Sequence, residues 1–370
     1  MMIMRRMGPM MAARAHGGKV APRGWPRYRR AFPISRRTDM TDRRLDVLAI
    51  GNAIVDVIAD ANDAFLSQQG LDKGSMRLID EAEAERLYGV MGSGRELSGG
   101  SAGNTAAGLA ALGCRAGFIG QVAEDQLGDI FRHDIRSLGV EFNTPARGDV
   151  GATARSLILV TPDAQRTMNT FLGAAQNLTS DAIDPAEIAS AKILYLEGYL
   201  WDPLAPRAAM EVAIDAARAA GTKVAFTLSD SFCISRHRGD FLRLIEEGKL
   251  DILFANEAEI TELAGEEDFD AAVTQVAAKV PVLVVTRSEQ GAVARSGGES
   301  ASVPAEPIDR LVDTTGAGDL FAAGFLAGQA KGLGLERSLR LGAIAAAEVI
   351  QHYGARPEAD LRVLAGDLLA

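Results

Sequence analysis

Asp313-Thr314-Thr315-Gly316-Ala317-Gly318-Asp319-Leu320-Phe321-Ala322-Ala323-Gly324 is the stretch on which the reading of the fold turns. It joins a short acidic-polar turn to a long apolar run with helical spacing. Gly316, Ala317 and Gly318 carry little or no side chain, so their backbone N–H groups can approach an anion at a helix start. Asp319 falls in the first turn of that expected helix. An acid there complements the helix dipole. It is also placed to act as a base beside a bound phosphate. On this stretch alone both readings stay open.

Composition narrows the field. A chain of 370 residues fits one large α/β domain or two modest ones. No run of about 18 apolar residues occurs, so no transmembrane helix is expected. Cys114 and Cys233 lie far apart, with no CxxC and no Cys/His cluster, which argues against a disulfide framework or structural zinc. A cytoplasmic, reducing setting fits. His16, His133, His237 and His352 are scattered and read as surface or satisfied residues. The net charge of −10 conceals an asymmetry: residues 1–39 hold ten basic residues and one acid, so the remainder carries −19. Such an acidic body argues against nucleic acid as a partner. The first 39 residues lack periodicity and an apolar signal core. They read as a disordered extension, with Met40-Thr41-Asp42 a natural start, or as a targeting or nucleic-acid-binding arm. The expected boundary of the globular domain is residue 43/44.

Beyond it the pattern is α/β. Asp46–Ile50 reads as a buried strand ending at Gly51-Asn52-Ala53-Ile54-Val55-Asp56. A helix over 80–90 has Asp80 as N-cap; a small-residue helix follows a Gly-rich start within 98–113; a strand near 116–120 and a helix near 126–138 come next. Thr153–Val160 and Arg166–Phe171 flank Thr161-Pro162-Asp163-Ala164-Gln165 and read as a β-hairpin. With residues 54–60, 74–79 and 95–98 the hairpin is expected to form a small separate sheet. After residue 180, strands near 192–196, 222–228, 251–254 and 281–286 alternate with helices near 205–220, 238–247, 256–264 and 268–279. That alternation indicates a parallel sheet covered on both faces. A hairpin near 291–304 and helices over 317–331, 335–352 and 358–368 complete the chain.

Four further constellations bear on chemistry. Ser98-Gly99-Gly100-Ser101-Ala102-Gly103-Asn104 precedes a helix. Its glycines let a substrate approach the backbone, and Asn104 offers an amide to a hydroxyl; tight helix packing is the alternative. It is not a dinucleotide fingerprint, because it is not expected to follow a strand directly. Asn52 and Asp56 lie just past the first strand, where α/β sheets bind ligands. A carboxylate and an amide there suit a vicinal diol. Asn256 and Glu259 match a capping box. They also match a pair that holds the water shell of Mg²⁺. The strand Val282–Thr286 runs into Arg287-Ser288-Glu289-Gln290-Gly291, a turn or a nucleotide-contact loop. No GxxxxGK[ST] occurs, which excludes a P-loop enzyme on motif grounds.

Over about residues 44–360 the chain resembles the ribokinase-type (phosphofructokinase-B) family of carbohydrate and nucleoside kinases. Asp313–Asp319 is similar to that family's C-terminal signature, Gly99-Gly100…Asn104 to its N-terminal one, and Asn256-x-x-Glu259 to its magnesium-associated motif. Gly51–Asp56, Leu196–Leu200, Phe226–Asp230 with Phe232–Ser235, and Asp251–Glu257 resemble the adenosine-kinase branch. One departure stands out: Ser288 occupies a position that is often Gly in the nucleotide-contact loop, and Ser does not adopt positive φ cheaply.

The resemblance implies a three-layer α/β/α fold with a mostly parallel sheet and a small β lid. It implies phosphoryl transfer from ATP to a primary hydroxyl. Asp319 would be the general base, and Gly316, Ala317 and Gly318 the anion hole. Asn52, Asp56, Gly99, Gly100, Ser101 and Asn104 would bind substrate, with Met76, Leu159, Tyr199 or Trp201 covering or stacking on a purine, or else serving as core. Asn256, Thr286, Ser288, Gly291 and Gly318 would contact nucleotide. Mg²⁺ would be oriented through Asn256 and Glu259, by water, and a K⁺-like ion would sit near Asp313 and Thr315. Lid closure would exclude water. ATP and a small molecule are the implied partners, in a monomer rather than a lid-paired dimer. An adenosine-type kinase is the first reading. A ribose, fructose or keto-deoxy sugar kinase shares every catalytic residue and is the second. A non-catalytic ligand-binding protein on this fold is a remote third.

Overall fold

The computed structural model describes residues 43–163 and 165–369. The expectations for residues 1–42 lie outside the described residues. Arg43, placed in the extension by the sequence reading, belongs to the fold. It is buried and donates to the carbonyls of Ala191 and Ala220 and to Thr222 Oγ1.

Fourteen strands are described: β1 (Leu45–Ile50), β2 (Ile54–Asp60), β3 (Met76–Leu78), β4 (Arg95–Gly99), β5 (Ala116–Ile119), β6 (Glu141–Phe142), β7 (Ala154–Val160), β8 (Arg166–Phe171), β9 (Ala191–Glu197), β10 (Lys223–Thr227), β11 (Ile252–Asn256), β12 (Val282–Thr286), β13 (Ala292–Ser296) and β14 (Glu299–Val303). Nine form the main sheet in the order β14-β13-β12-β11-β10-β9-β1-β5-β6. It is parallel from β12 to β6, with β13 and β14 antiparallel at one edge. The other five form the small sheet, β3-β8-β7-β2-β4. The β7/β8 hairpin pairs as expected, Ser156 opposite Thr170.

The helices are α1 (Asp63–Gln68), α2 (Glu81–Val90), α3 (Ser101–Ala111), α4 (Gln126–Ser137), α5 (Pro185–Ala189), α6 (Leu204–Ala220), α7 (Ser231–Glu246), α8 (Glu257–Ala264), α9 (Phe269–Ala277), α10 (Ala317–Ala330), α11 (Leu335–Val349) and α12 (Leu361–Ala365). They cover both faces of the main sheet. On β1, Val47 and Ala49 face one apolar core with α3, α4, α10 and α11, whereas Leu48 and Ile50 face the other with α6 to α9. A strand apolar on both sides is what a parallel sheet requires.

Small residues bring two helices together at the site. A Cβ on Gly108 would lie 2.6 Å from Leu320 Cδ1 and 2.8 Å from Ala323 Cβ, so α3 and α10 pack closely. Three expectations differ. The Gly-rich stretch does follow a strand directly, since β4 runs through Gly100 into α3. That strand belongs to the small sheet and pairs antiparallel with β2, so the turn is still no dinucleotide fingerprint. The helix α7 has a stretch ahead of the expected start at 238: residues 231–236, capped by the Asp230 carboxylate accepting from Cys233 N at 2.6 Å, join the expected helix across a kink at His237 (φ −125, ψ 16). The last helix is short, and Gly366–Leu369 follows as a 3₁₀ turn.

Candidate active site

The parallel strands β1, β9, β10, β11 and β12 end on one side of the sheet. Asn52, Glu197, Thr227, Asn256 and Thr286, at or just past those ends, line a cavity of about 660 Å³. This is where a parallel sheet presents backbone and side chains to a ligand. The small sheet supplies the opposite wall with Asp56, Met76, Leu78, Ser156, Ile158, Met168 and Thr170.

Asp319 sits in the first turn of α10 and lines this cavity. Its Oδ1 accepts from Ser101 Oγ at 2.6 Å and its Oδ2 from Asn104 Nδ2 at 2.9 Å. Burial pushes its carboxyl above the ordinary range; the two hydrogen bonds and the charge of Arg356 pull the other way. Gly316 precedes the helix at φ +80, and a Cβ there would lie 2.5 Å from Ala355 Cβ. Gly316 and Gly318 line the cavity. Ala317 departs from the three-donor expectation: its N–H donates to the Thr314 carbonyl at 3.2 Å, closing the turn that starts the helix.

The diol-type pair is brought to the same cavity. Asp56 is raised to about 6, first by burial; Arg356 and Arg166 lower it and Asp319 raises it. Gly99 allows that placement, because a Cβ on it would lie 2.5 Å from Asp56 Oδ2. Gly100 takes φ +85 and backs onto the Asn52 carbonyl. Asn52 is buried, and both its backbone N–H and its Nδ2 donate to Glu197 Oε1 at 2.7 Å. The second Glu197 oxygen accepts from Ala102 N at 2.7 Å. Glu197 thus ties the end of β1 to the start of α3, and burial raises it to about 7 against those three bonds.

Asn256 and Glu259 form the capping box. Asn256 Oδ1 accepts from Glu259 N at 2.8 Å, Asn256 N donates to Glu259 Oε2 at 3.0 Å and Asn256 Nδ2 to Oε1 at 2.7 Å. Both residues also line the cavity. The cap therefore does not displace the ligand reading. Asn256 Oδ1 and each Glu259 carboxylate oxygen accept one bond within the cap and keep a further lone-pair position. That suits a hydrated Mg²⁺ carried in by phosphates. Among the described residues no group of three or more His, Cys, Asp or Glu could hold a metal by itself.

Asp313 and Thr315 do not fit a monovalent ion as arranged. Asp313 Oδ2 accepts from Arg166 and from Gly354 N at 3.0 Å, and its Oδ1 from Thr315 N at 3.0 Å. The Arg166 guanidinium is the counter-ion of Asp313, with both side chains buried.

Some expected residues stay outside the cavity. Thr286 lines it, but Ser288 and Gly291 are not among its lining residues. Ser288 does take positive φ, +49. Leu159 faces the core, and its neighbour Ile158 faces the cavity; side chains alternate along a strand, so a shift of one residue reverses the face. Trp201 is fully buried, packs edge-on against Phe226 and Phe241, and donates to Asp240 Oδ2 at 3.1 Å, so it is core. Tyr199 lines the cavity and donates through its hydroxyl to the Ser229 carbonyl at 3.2 Å. Ser229 itself is held at φ +73. Arg166, Glu197, Ser229 and Arg356 escaped the sequence reading as site residues. Only Glu197 carried a usable signal, as an acid at the end of an otherwise apolar strand.

Residues 74–361 match the model of the pfkB family carbohydrate kinases. The structure of a probable sugar kinase from Rhizobium etli CFN 42 is similar at a TM-score of 0.81 and 49% identity, over 87% of this chain and 98% of that one. An adenosine kinase structure from Sinorhizobium meliloti gives a TM-score of 0.80 and 49% identity over the same shares. The adenosine kinase of Saccharomyces cerevisiae is 26% identical over 330 residues, 83% of this chain and 95% of its own length. The fold is the ribokinase-like α/β architecture. The chain belongs to the pfkB carbohydrate kinase family and is an ATP-dependent phosphotransferase acting on a hydroxyl group.

Proposed function

We propose that this kinase phosphorylates the 5′ hydroxyl of a nucleoside, adenosine to AMP, with Asp319 as general base. The observation that carries the proposal is the placement of Asp319 in the cavity, held by Ser101 and Asn104 between the glycine turn and the diol pair. A sugar hydroxyl is a poor nucleophile at neutral pH, and a carboxylate must take its proton as the O–P bond forms. A buried carboxylate is the stronger base for that task, provided it stays ionised. Gly316 and Gly318 offer N–H groups to charge gathering on the transferred phosphoryl oxygens. Asp56 accepts from the ribose hydroxyls and Asn52 Oδ1 completes the grip, which aims the 5′ hydroxyl at Asp319. Asn256 and Glu259 would hold Mg²⁺ through its water shell, and bound with ATP that ion neutralises phosphate charge. The small sheet closes over the substrate and excludes water.

A nucleoside accounts for the apolar part of the cavity. Met76 and Leu78, on the small sheet, are 56% and 63% exposed, and Phe232, on the main body, 73%. Three large apolar side chains in contact with solvent at one cavity suit a flat base, not a free sugar. A sugar or sugar-acid kinase is the second reading, favoured by Arg77 and Arg236 in the same lining. The partners are ATP and the small molecule; we place the protein in the cytoplasm as a monomer. Among the described residues no helix is long and apolar enough to cross a membrane. An ATP-consumption panel of adenosine, inosine, guanosine, ribose, fructose and 2-keto-3-deoxygluconate tests the reading. Turnover on adenosine is expected, and turnover on free sugars alone would overturn it.

A further inference from the structure

The loop after α11 brings a cation against Asn104, a residue lining the cavity, from a place no motif marks. Arg356 is partly exposed as a residue, yet its Nε is sealed from solvent. Its Nη1 donates to Asn104 Oδ1 at 2.8 Å and to the Gly103 carbonyl at 3.3 Å. Its Nη2 donates to the Ser98 carbonyl at 2.5 Å and to Ser98 Oγ at 3.1 Å. Asn104 has one acceptor and one donor group on its amide. With Arg356 on the oxygen, the NH₂ is left to point at Asp319 Oδ2. Reversing the amide would set NH₂ against guanidinium and oxygen against carboxylate. Arg356 and Asp319, one at each end of the amide, therefore fix together which way it faces.

We propose that Arg356 is a positioning residue for phosphoryl transfer: by gripping Asn104 and Ser98 it orients the amide that holds Asp319 and anchors the root of the small-sheet strand β4 against α3. The inference rests on Asp319 being the base. Charge supports it. Arg356 faces Asp56 on β2, Asp134 on α4 and Asp319 on α10, and it lowers the carboxyls of Asp56 and Asp319 against burial. Asp56, Glu197 on β9 and the phenols Tyr195 and Tyr199 are the other titratable groups that sense Asp319. Of these groups around Asp319, only Arg356 is a cation. Desolvation lowers Arg356 itself, but an arginine starts so high that it stays charged.

The test measures kcat, and KM for nucleoside and ATP, across roughly pH 5.5 to 9 for wild type, Arg356→Gln, Arg356→Lys and Asp319→Asn. Arg356→Gln is expected to lose about 10- to 100-fold in kcat at neutral pH, with KM for ATP little changed. The acid limb of its kcat profile should move up by about one pH unit, because the nearest cation is gone and Asp319 holds its proton longer. Arg356→Lys keeps the charge but a single nitrogen cannot grip both partners. Its acid limb should return near wild type while kcat stays several-fold low. Wild-type kcat and limb in Arg356→Gln overturn the inference, as does a rate loss with an unmoved limb, which marks a merely structural role. If Arg356→Gln does not fold, as read by circular dichroism, Arg356→Lys decides alone: wild-type kcat overturns and reduced kcat supports. Activity retained in Asp319→Asn would remove the base reading and this inference with it. An inactive Asp319→Asn beside a wild-type-like Arg356→Gln would remove only this inference.

Discussion

Asp56→Asn should separate stability from function. Asp56 is raised from 3.8 to about 6, burial being the largest cause. In the unfolded chain it loses its proton at the ordinary value. Below that value both states are protonated and the group costs the fold nothing. Between it and about 6 the unfolded chain gives up its proton first, so the fold loses stability as pH rises. Above about 6 the loss is complete. At about 1.36 kcal/mol per pH unit, a shift of this size is worth on the order of 3 kcal/mol, as an upper figure. Asn cannot ionise and has nearly the same shape. Asp56→Asn should thus be more stable than wild type at neutral pH by up to ~3 kcal/mol, with the gain fading toward pH ~4. The same change removes the ionised acceptor for the diol, so KM for the nucleoside should rise by about 10- to 100-fold. Urea unfolding at several pH values, with steady-state kinetics beside it, reads both effects. A variant equally or less stable than wild type at neutral pH, with no trend toward acid, would refute the burial argument. An unchanged KM would refute the diol assignment.

Other substitutions address two residues held at positive φ. Gly316→Ala puts a Cβ 2.5 Å from Ala355 Cβ at a φ of +80. It should destabilise by about 2–4 kcal/mol, combining left-handed strain with overpacking, and lower kcat; thermal melts and kinetics check it. Ser288→Gly relieves a φ of +49. It should stabilise by about 0.5–1 kcal/mol, the strain recovered less the extra chain entropy of glycine, which urea unfolding can resolve.

Much of this was legible in the sequence because it is periodic or local. Strands β9 to β12 are apolar runs between amphipathic helices, and a parallel sheet buried on both faces writes itself that way. Caps such as Asp80 and Asn256 are local signals within a few residues of what they cap. The Asp319 turn was legible as a helix start because glycines before an acid are a local signal. What stayed hidden depends on distant chain. Arg356 reaches Asn104 and Ser98 across about 250 residues, with nothing around it to mark the contact. Arg166 looked like the start of a hairpin strand, but the other end of its bond, Asp313, lies in the signature loop. That pairing gives Asp313 a protein counter-ion where a monovalent ion was expected nearby. Leu159 took the core alternative and Ile158 turned to the cavity, a matter of register that needs the partner strand. Trp201 took the core alternative; an aromatic just past a strand end looks the same from sequence whether it turns to a cavity or to the core.

The central claim is that the Asp319 carboxylate takes the proton of the acceptor hydroxyl. It is tested most directly by turnover of Asp319→Asn on adenosine, with adenosine affinity measured in parallel by calorimetry. Loss of about 10³-fold or more in kcat, with Kd within a few-fold of wild type, is the predicted result. A kcat within about tenfold of wild type would contradict it.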